Sequence, residues 1–249
     1  GCNIMQLGFI GTGAISTAVI EGIVSGQNTI CISKRSLVNS VRLSETYQNI
    51  STNENQGVID NSEVVFIGLT VDKAELVLKD LNFRKDQRVV SFMAAVSEKK
   101  IKELVCPAKF ESIMIPWPAI KNKNSPVLCW PNSVLIQEIF GKENNVIQFE
   151  NFLDFERYLI AQAVLSPILQ MTKTASHWLT AKTSNDNQAD DFLRSLISST
   201  LQSDNLSGGI KGLSTKGGLN ETLRMYLGEK GLYSDLKEGL DTLYKSRKE

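Results

Sequence analysis

The chain is poor in the residues from which most acid–base and metal chemistry is built. It has a single histidine, His177, and its four cysteines, Cys2, Cys31, Cys106 and Cys129, are scattered without the close spacing of metal ligands. No metal is therefore expected. His177 lies within a helix-forming stretch beside Trp178, where a packing or surface role is the simpler reading. No nucleophile stands next to a base, and no patch interleaves aromatic with basic residues, so neither covalent hydrolysis nor nucleic-acid binding is supported. An excess of charge is also missing: lysine plus arginine and aspartate plus glutamate number 27 each. No overall field draws the chain to nucleic acid or to an anionic membrane, so a charged partner must be recognised locally. No run reaches the ~18 apolar residues of a spanning helix, and the sequence passes into a strand without a basic and apolar leader. Cys31, inside the apolar run 29–33, reads as a buried strand thiol. Cytoplasmic residence is the expectation.

What is present is organised around residues 6–20, QLGFIGTGAISTAVI. An apolar run breaks at Gly11-Thr12-Gly13 and resumes with helical spacing, which predicts a strand, a turn and a helix that receives a phosphate. Gly11, Gly13 and Ser16 occupy the three positions of G-x-G-x-x-G. One glycine allows the tight turn, the second lets backbone approach a pyrophosphate, and the third position must be small for helix and sheet to pack closely. Ser16 departs from glycine there but remains small. A second strand, TICIS, ends in Ser33-Lys34-Arg35-Ser36, which begins twenty residues beyond Gly13. A dinucleotide fold meets the adenosine ribose at that distance. An acidic residue there would bind ribose hydroxyls and repel a 2′-phosphate; this chain has two cations and two hydroxyls, which points to NADP(H).

Alternation continues. Residues 64–69 (VVFIGL) form an almost continuous apolar run of the kind buried on both faces of a parallel sheet. Residues 72–81 predict the next helix, 88–91 a strand, 98–105 a helix, 110–115, 127–130 and 146–149 strands, and 134–140 a helix. This order predicts a doubly wound, Rossmann-type α/β domain over residues 1–150, with ligands at the carboxyl ends of its strands. Those ends are 11–13, 33–36, 69–71 and 92–95.

Helical spacing takes over in residues 151–249. A long helix over 151–182, kinked near Ser166-Pro167, a helix over 187–202, and helices near 220–228 and 234–245 are predicted, with glycine-rich joints at 207–209 and 216–218. About a hundred helical residues make a modest core on their own, and a second subunit would complete it. A homodimer, or an oligomer built from dimers, is expected through this domain.

The stretches GFIGTGAIS, SKRS, VVFIGLTVDKAELVLKDL, VVSFMAAVS and STKGGLNETLRMYLGEKG, in this order, make the chain resemble the pyrroline-5-carboxylate reductase family along nearly its whole length. The resemblance implies a cytoplasmic reductase of proline biosynthesis that transfers hydride from NAD(P)H to a small cyclic imine acid, 1-pyrroline-5-carboxylate or a relative, and dimerises through the helical domain. It implies that Ile10, Gly11, Thr12, Gly13, Ala14 and Ile15 hold the pyrophosphate and that Ser33, Lys34, Arg35 and Ser36 hold the adenosine phosphate. Leu69, Thr70, Val71, Met93 and Ala94 would lie along the nicotinamide half. Ser214, Thr215, Gly217, Gly218 and Leu219 would form the substrate-carboxylate turn. Trp117, Thr215, Lys216 and Asn220 are the candidate catalytic residues.

The family pattern Ser-Pro-Gly-Gly-Thr-Thr is here Thr215-Lys216-Gly217-Gly218-Leu219-Asn220, and Met-Pro-Asn-Thr-Pro-Ala is Ile115-Pro116-Trp117-Pro118-Ala119. Leu-Ala-Val-Lys-Pro becomes Gly68-Leu69-Thr70-Val71-Asp72. Cofactor residues are largely kept and substrate residues largely changed. Two alternatives remain. One is a hydroxyacid-type dehydrogenase using Lys173, which lacks its expected sequence context; the other is an NADP-binding sensor or structural protein that has lost catalysis.

Overall fold

The computed structural model describes residues 4–183 and 188–247. Cys2, and Asn187 at the expected start of the second C-terminal helix, lie outside the described residues. The chain divides into two compact units, Gly1–Phe155 and Glu156–Glu249.

The first unit is an eight-stranded sheet in the order β3-β2-β1-β4-β5-β6-β7-β8. Its elements run β1 (Gln6–Ile10), α1 (Ala14–Ile23), β2 (Thr29–Ser33), α2 (Leu37–Thr46), β3 (Ile50–Asn53), α3 (Asn55–Asp60), β4 (Val64–Ile67), α4 (Val71–Leu78), β5 (Arg88–Ser91), α5 (Glu98–Val105) and β6 (Lys109–Ile115). A 3₁₀ turn (Pro118–Asn122), β7 (Pro126–Trp130), α6 (Val134–Phe140) and β8 (Asn145–Gln148) follow. The chain winds outward from β1 through β2 to β3, then returns through α3 to place β4 on the other side of β1. That reversal is the switch point at which doubly wound sheets bind ligands. The pairs from β3 to β6 are parallel, β7 is antiparallel to β6, and β8 is parallel to β7.

Burial explains why the central strands form. All four residues of β4 are buried, and Phe66 stacks on Phe9 of β1 with ring centroids 4.8 Å apart. Phe140 of α6 meets Phe66 edge-on at 6.0 Å, so the helix near the far edge shares the central core. Cys31 is buried on β2 as expected. Burial raises its thiol pKa and pushes that of Cys129 up to about 11, so both stay protonated and unreactive near neutral pH. The apolar run 64–69 stops being a strand at Ile67, because Gly68 and Leu69 turn toward α4, which begins at Val71 and ends at Leu78.

One charged network ties β5 to β6 beside the antiparallel junction. Arg88 donates to Glu111 through Nε at 3.0 Å and Nη2 at 2.9 Å, and the Ser133 hydroxyl donates to the same carboxylate at 2.8 Å. Burial pushes the Glu111 carboxyl up, but the hydrogen bonds from Arg88 and Ser133 and the charges of Arg88 and Lys109 outweigh it. The net pKa lies below its ordinary value. A depressed folded-state pKa contributes stability above the ordinary value of 4.5 and loses it as pH falls through the folded value. The Glu111 side chain is only 7% exposed. Arg88→Ala is therefore expected to cost roughly 2–3 kcal/mol at neutral pH, below the full cost of a buried pair because Arg88 is itself partly solvated. Urea midpoints at pH 7 and pH 4 check this, and an unchanged midpoint at pH 7 contradicts it.

The division between the units falls inside α7 (Phe152–Ala161), which is followed by a 3₁₀ turn (Gln162–Val164), α8 (Leu165–Lys182), α9 (Ala189–Ser203), α10 (Leu206–Gly212), α11 (Leu219–Glu229) and α12 (Leu232–Ser246). Among the described residues no strand follows β8. The expected single helix over 151–182 breaks at 162–164, before the proline. The interruption includes Ala163, four residues before Pro167, whose carbonyl the proline deprives of a donor, so the break falls one turn ahead of the proline that causes it. The expected joint at 207–209 is also helical. The Asn205 side chain caps α10 by accepting from the Gly208 N–H at 2.9 Å, so these glycines fall inside the helix. Among the described residues of Glu156–Glu249, only Ile160, Ser176 and Ala189 are buried. No helix among the described residues is long and apolar enough to cross a membrane.

Candidate active site

The switch point places four of the expected ligand segments side by side. β2, β1, β4 and β5 are adjacent and parallel. Residues 33–36, 11–15, 68–71 and 92–94 therefore leave the same edge of the sheet. The ladder continues past the strands, with the Gly68 N–H donating to Ile10 O and the Phe92 N–H to Ile67 O, both at 2.9 Å.

Gly11 takes φ +92°, and a methyl group there would strike the Gly68 carbonyl. The turn therefore demands glycine on conformational and steric grounds together. Gly13 differs. It caps α1 with φ −70°, and no atom of the chain lies within 4 Å of where its Cβ would be. The fold does not require glycine there, and the space beside it is open. Ser16, the third fingerprint position, is 1% exposed, and its hydroxyl occupies the space that a side chain at Gly68 would fill.

The helix start itself is open to an anion. The Gly13 cap contributes no side-chain bond, α1 has no acidic residue in its first turn, and the Thr17 N–H is the first to find a helical acceptor, Gly13 O at 3.0 Å. The N–H groups of the first turn and the helix dipole face the space in front of Gly13. The Thr12 hydroxyl, in the same turn, is buried without a hydrogen-bond partner. The Thr12 carbonyl accepts from Asn39 Nδ2 of α2 at 2.7 Å, which fixes the turn from the neighbouring crossover.

At the end of β2, a cavity of about 510 Å³ is lined by Ser33, Lys34, Arg35, Leu37, Glu54, Asn55 and Val77. Lys34 and Arg35 are exposed; Ser33 is buried, and its hydroxyl donates to Asn55 Oδ1 at 2.7 Å. Ser33 thus shapes the turn rather than presenting a free hydroxyl. Glu54 also lines the cavity, 3.9 Å from Lys34, with its side chain 82% exposed. Such a long, solvated pair is weak and leaves the lysine available to a phosphate.

Of the residues expected along the nicotinamide half, Leu69 and Ala94 are half-buried, Val71 is exposed, and Met93 is buried with its N–H donating to Ser91 Oγ at 3.0 Å. Thr70 caps α4, and its hydroxyl bond to Asp72 is the main cause that holds that carboxyl below its ordinary pKa. Trp117 is half-buried two residues beyond β6, and the 3₁₀ turn that follows it packs its Ile120 carbonyl against Gly22 of α1.

Ser214, Thr215, Lys216, Gly217 and Gly218 belong to the second unit, in the turn between α10 and α11, and Leu219 and Asn220 open α11. The Gly218 N–H donates to Thr215 O at 2.8 Å and Gly217 takes φ +74°. This is a tight turn whose third position requires glycine. Both glycine N–H groups, expected as donors to a substrate carboxylate, are engaged within the chain: Gly217 donates to Glu221 Oε2 at 3.0 Å. His177 and Lys173 are exposed on α8. Among the described residues no group of acidic, histidine and cysteine side chains could hold a metal ion.

The arrangement has clear structural counterparts. A pyrroline-5-carboxylate reductase from Streptococcus pyogenes superimposes with TM-score 0.81 at 19% identity, over 98% of each chain. The fold is that of pyrroline-5-carboxylate reductase. A second structure with this fold, the Plasmodium falciparum pyrroline carboxylate reductase with NADP bound, gives TM-score 0.81 at 11% identity over 99% of this chain and 98% of that one. A reductive aminase from Aspergillus terreus in complex with NADPH and ethyl levulinate is more distant, at TM-score 0.59 and 13% identity over 85% of this chain and 76% of that one. Residues 6–95 match the family model described as NADP oxidoreductase coenzyme F420-dependent. No curated protein matches the sequence. The matched segment runs from β1 to just beyond β5 and so contains all four strand ends described above.

Asn39 and Asn55 are site residues that the sequence did not reveal. Each is a polar residue in a crossover whose partner lies more than twenty positions away, and no local pattern marks such a bond.

Proposed function

We propose that the chain is an NADPH-dependent reductase of pyrroline-5-carboxylate reductase type, acting on a carbon–nitrogen double bond. The observation that carries this reading is the pairing, on one sheet edge, of an uncapped helix start with a cavity bearing two cations. Space left open at Gly13 and the orphaned Thr12 hydroxyl fit a pyrophosphate against α1. Lys34 and Arg35 fit the adenosine 2′-phosphate. Leu69, Thr70, Val71, Met93 and Ala94 would flank the nicotinamide, and bound NADPH supplies a hydride with its two electrons.

A protonated imine already carries its proton on nitrogen, so reduction asks the protein for position more than for proton transfer. No histidine or metal is required of the chain. Trp117, Thr215, Lys216 and Asn220 are proposed to shape and orient the substrate. The helical unit is proposed to be the dimerisation domain, since its apolar helix faces stay largely exposed in one chain.

NADPH fluorescence tests the cofactor site. Binding should change the emission of NADPH, and Gly13→Ala should weaken that binding about tenfold or more because its methyl group occupies the space of the pyrophosphate. The melting temperature of the apoprotein should stay within about a degree, as the methyl group meets no atom of the chain and an exposed substitution of this kind shifts stability little. Unchanged NADPH affinity in Gly13→Ala would remove the pyrophosphate from this turn. Oxidation of NADPH in the presence of cyclic imines tests the reaction, and tight binding with no turnover across imines and oxo acids would replace it with the sensor reading.

A further inference from the structure

The two phosphate subsites proposed above follow different strands, and one side chain joins them. Asn39, the third residue of α2, is half-buried and donates through Nδ2 to the Thr12 carbonyl at 2.7 Å. That carbonyl shares a peptide plane with the Gly13 N–H. The bond between Thr12 and Gly13 is trans, so the two groups point in opposite directions. Drawing the carbonyl toward α2 therefore turns the Gly13 N–H away from that helix, and this N–H has no acceptor among the described residues.

The helix that carries Asn39 starts from the cationic turn. Ser36, directly after Lys34-Arg35, is its cap position, the Ser40 N–H donates to Ser36 O at 2.9 Å, and Leu37 lines the same cavity as the two cations. From Arg35 to Asn39 is about one helical turn. Apolar packing does little to hold that turn, because Leu37, Val38 and Val41 face outward and the buried residues of α2 are Ser40 and Leu43. A second tie to α1, from Arg42 to Glu21 at 2.8 Å, lies farther along α2 and is partly solvated. We infer that Asn39 is a positioning residue that couples the two subsites: it orients the Gly13 N–H for the pyrophosphate and holds the cationic turn at a fixed distance from it, through Thr12 rather than by contact with either phosphate. This inference rests on the proposed cofactor site. A ligand with two anchors gains from the second according to how well the first holds it within reach. NADPH has both anchors and NADH has only the pyrophosphate, so slack between the subsites costs NADPH more.

Titration of both nucleotides against the full chain, as wild type, Asn39→Ala and the isosteric Asn39→Leu, reads the coupling. Loss of the donor should raise the dissociation constant for NADH about threefold, the worth of one hydrogen bond, and that for NADPH about fifteenfold, so the preference for NADPH narrows about fivefold. Lys34→Ala with Arg35→Ala removes the second anchor, and adding Asn39→Ala to that pair should cost NADPH only about threefold. Equal losses of NADPH and NADH in the single variants, or the full fifteenfold loss in the triple variant, overturn the coupling. So does a wild-type preference retained by Asn39→Leu, which keeps the side-chain volume and carries the test if Asn39→Ala folds poorly. A lowered melting temperature with both affinities unchanged reduces Asn39 to a structural role and overturns the inference too. A wild type that binds neither nucleotide overturns the cofactor reading itself, and the coupling with it.

Discussion

Replacing both Lys34 and Arg35 with alanine should raise the dissociation constant for NADPH about a hundredfold, close to 2.7 kcal/mol, and leave that for NADH within a factor of about two. Charge-assisted hydrogen bonds to a phosphate are worth more than this when buried. Both side chains here are exposed at the mouth of the β2 cavity, so solvent screens part of their contribution. The same exposure makes the effect depend on salt: the wild-type preference for NADPH should narrow as ionic strength rises, whereas the double variant should show little salt dependence. Titration of each nucleotide against protein fluorescence at two salt concentrations reads the whole pattern. Equal losses for NADPH and NADH would take the 2′-phosphate away from these residues.

The second large effect concerns assembly. Phe192 and Leu196 lie one turn apart on α9 and are 56% and 49% exposed. Spacing of four residues puts them on one helix face, so they are expected at the subunit interface. The wild-type chain should sediment at twice its 27.6 kDa mass at micromolar concentration. Phe192→Asp combined with Leu196→Asp should halve that mass or leave the protein insoluble. Each aspartate would replace ~1.5–3 kcal/mol of apolar burial per subunit with a desolvated charge. A wild-type monomer would contradict the dimer. So would a double variant that remains dimeric, at least for this face.

The sequence made some of this visible for physical reasons. Strands buried on both faces leave continuous apolar runs, so β1, β2, β4 and β5 could be located, and the helices expected over 98–105 and 134–140 match α5 and α6 to their ends, where the structure adds serine caps at Ser97 and Ser133. The segment from α2 to α3 left no such trace. β3 is four residues long with three of them polar, and α2 turns Leu37, Val38 and Val41 outward and buries only Leu43 of its apolar residues, so most of them point away from the core they would normally mark. The phosphate turn was legible because glycine spacing and backbone conformation are locally linked. The turn before α11 was legible as a turn, since Gly217 needs its positive φ. Its hydrogen-bond donors were not, because whether Gly217 faces a ligand or Glu221 is decided by one side-chain rotamer.

The contact between Ser16 and Gly68 changes what the third fingerprint position means. Helix and strand end enclose a fixed volume, and the usual glycine assigns all of it to the strand side. Here the hydroxymethyl group stands on the helix and the single hydrogen stands on the strand, fifty-two residues later in the chain. The two positions share one allotment of space, so bulk at one must be matched by its absence at the other. A motif written along the chain counts Ser16 as a missing glycine; measured across the gap between helix and sheet, the glycine is still present, at position 68.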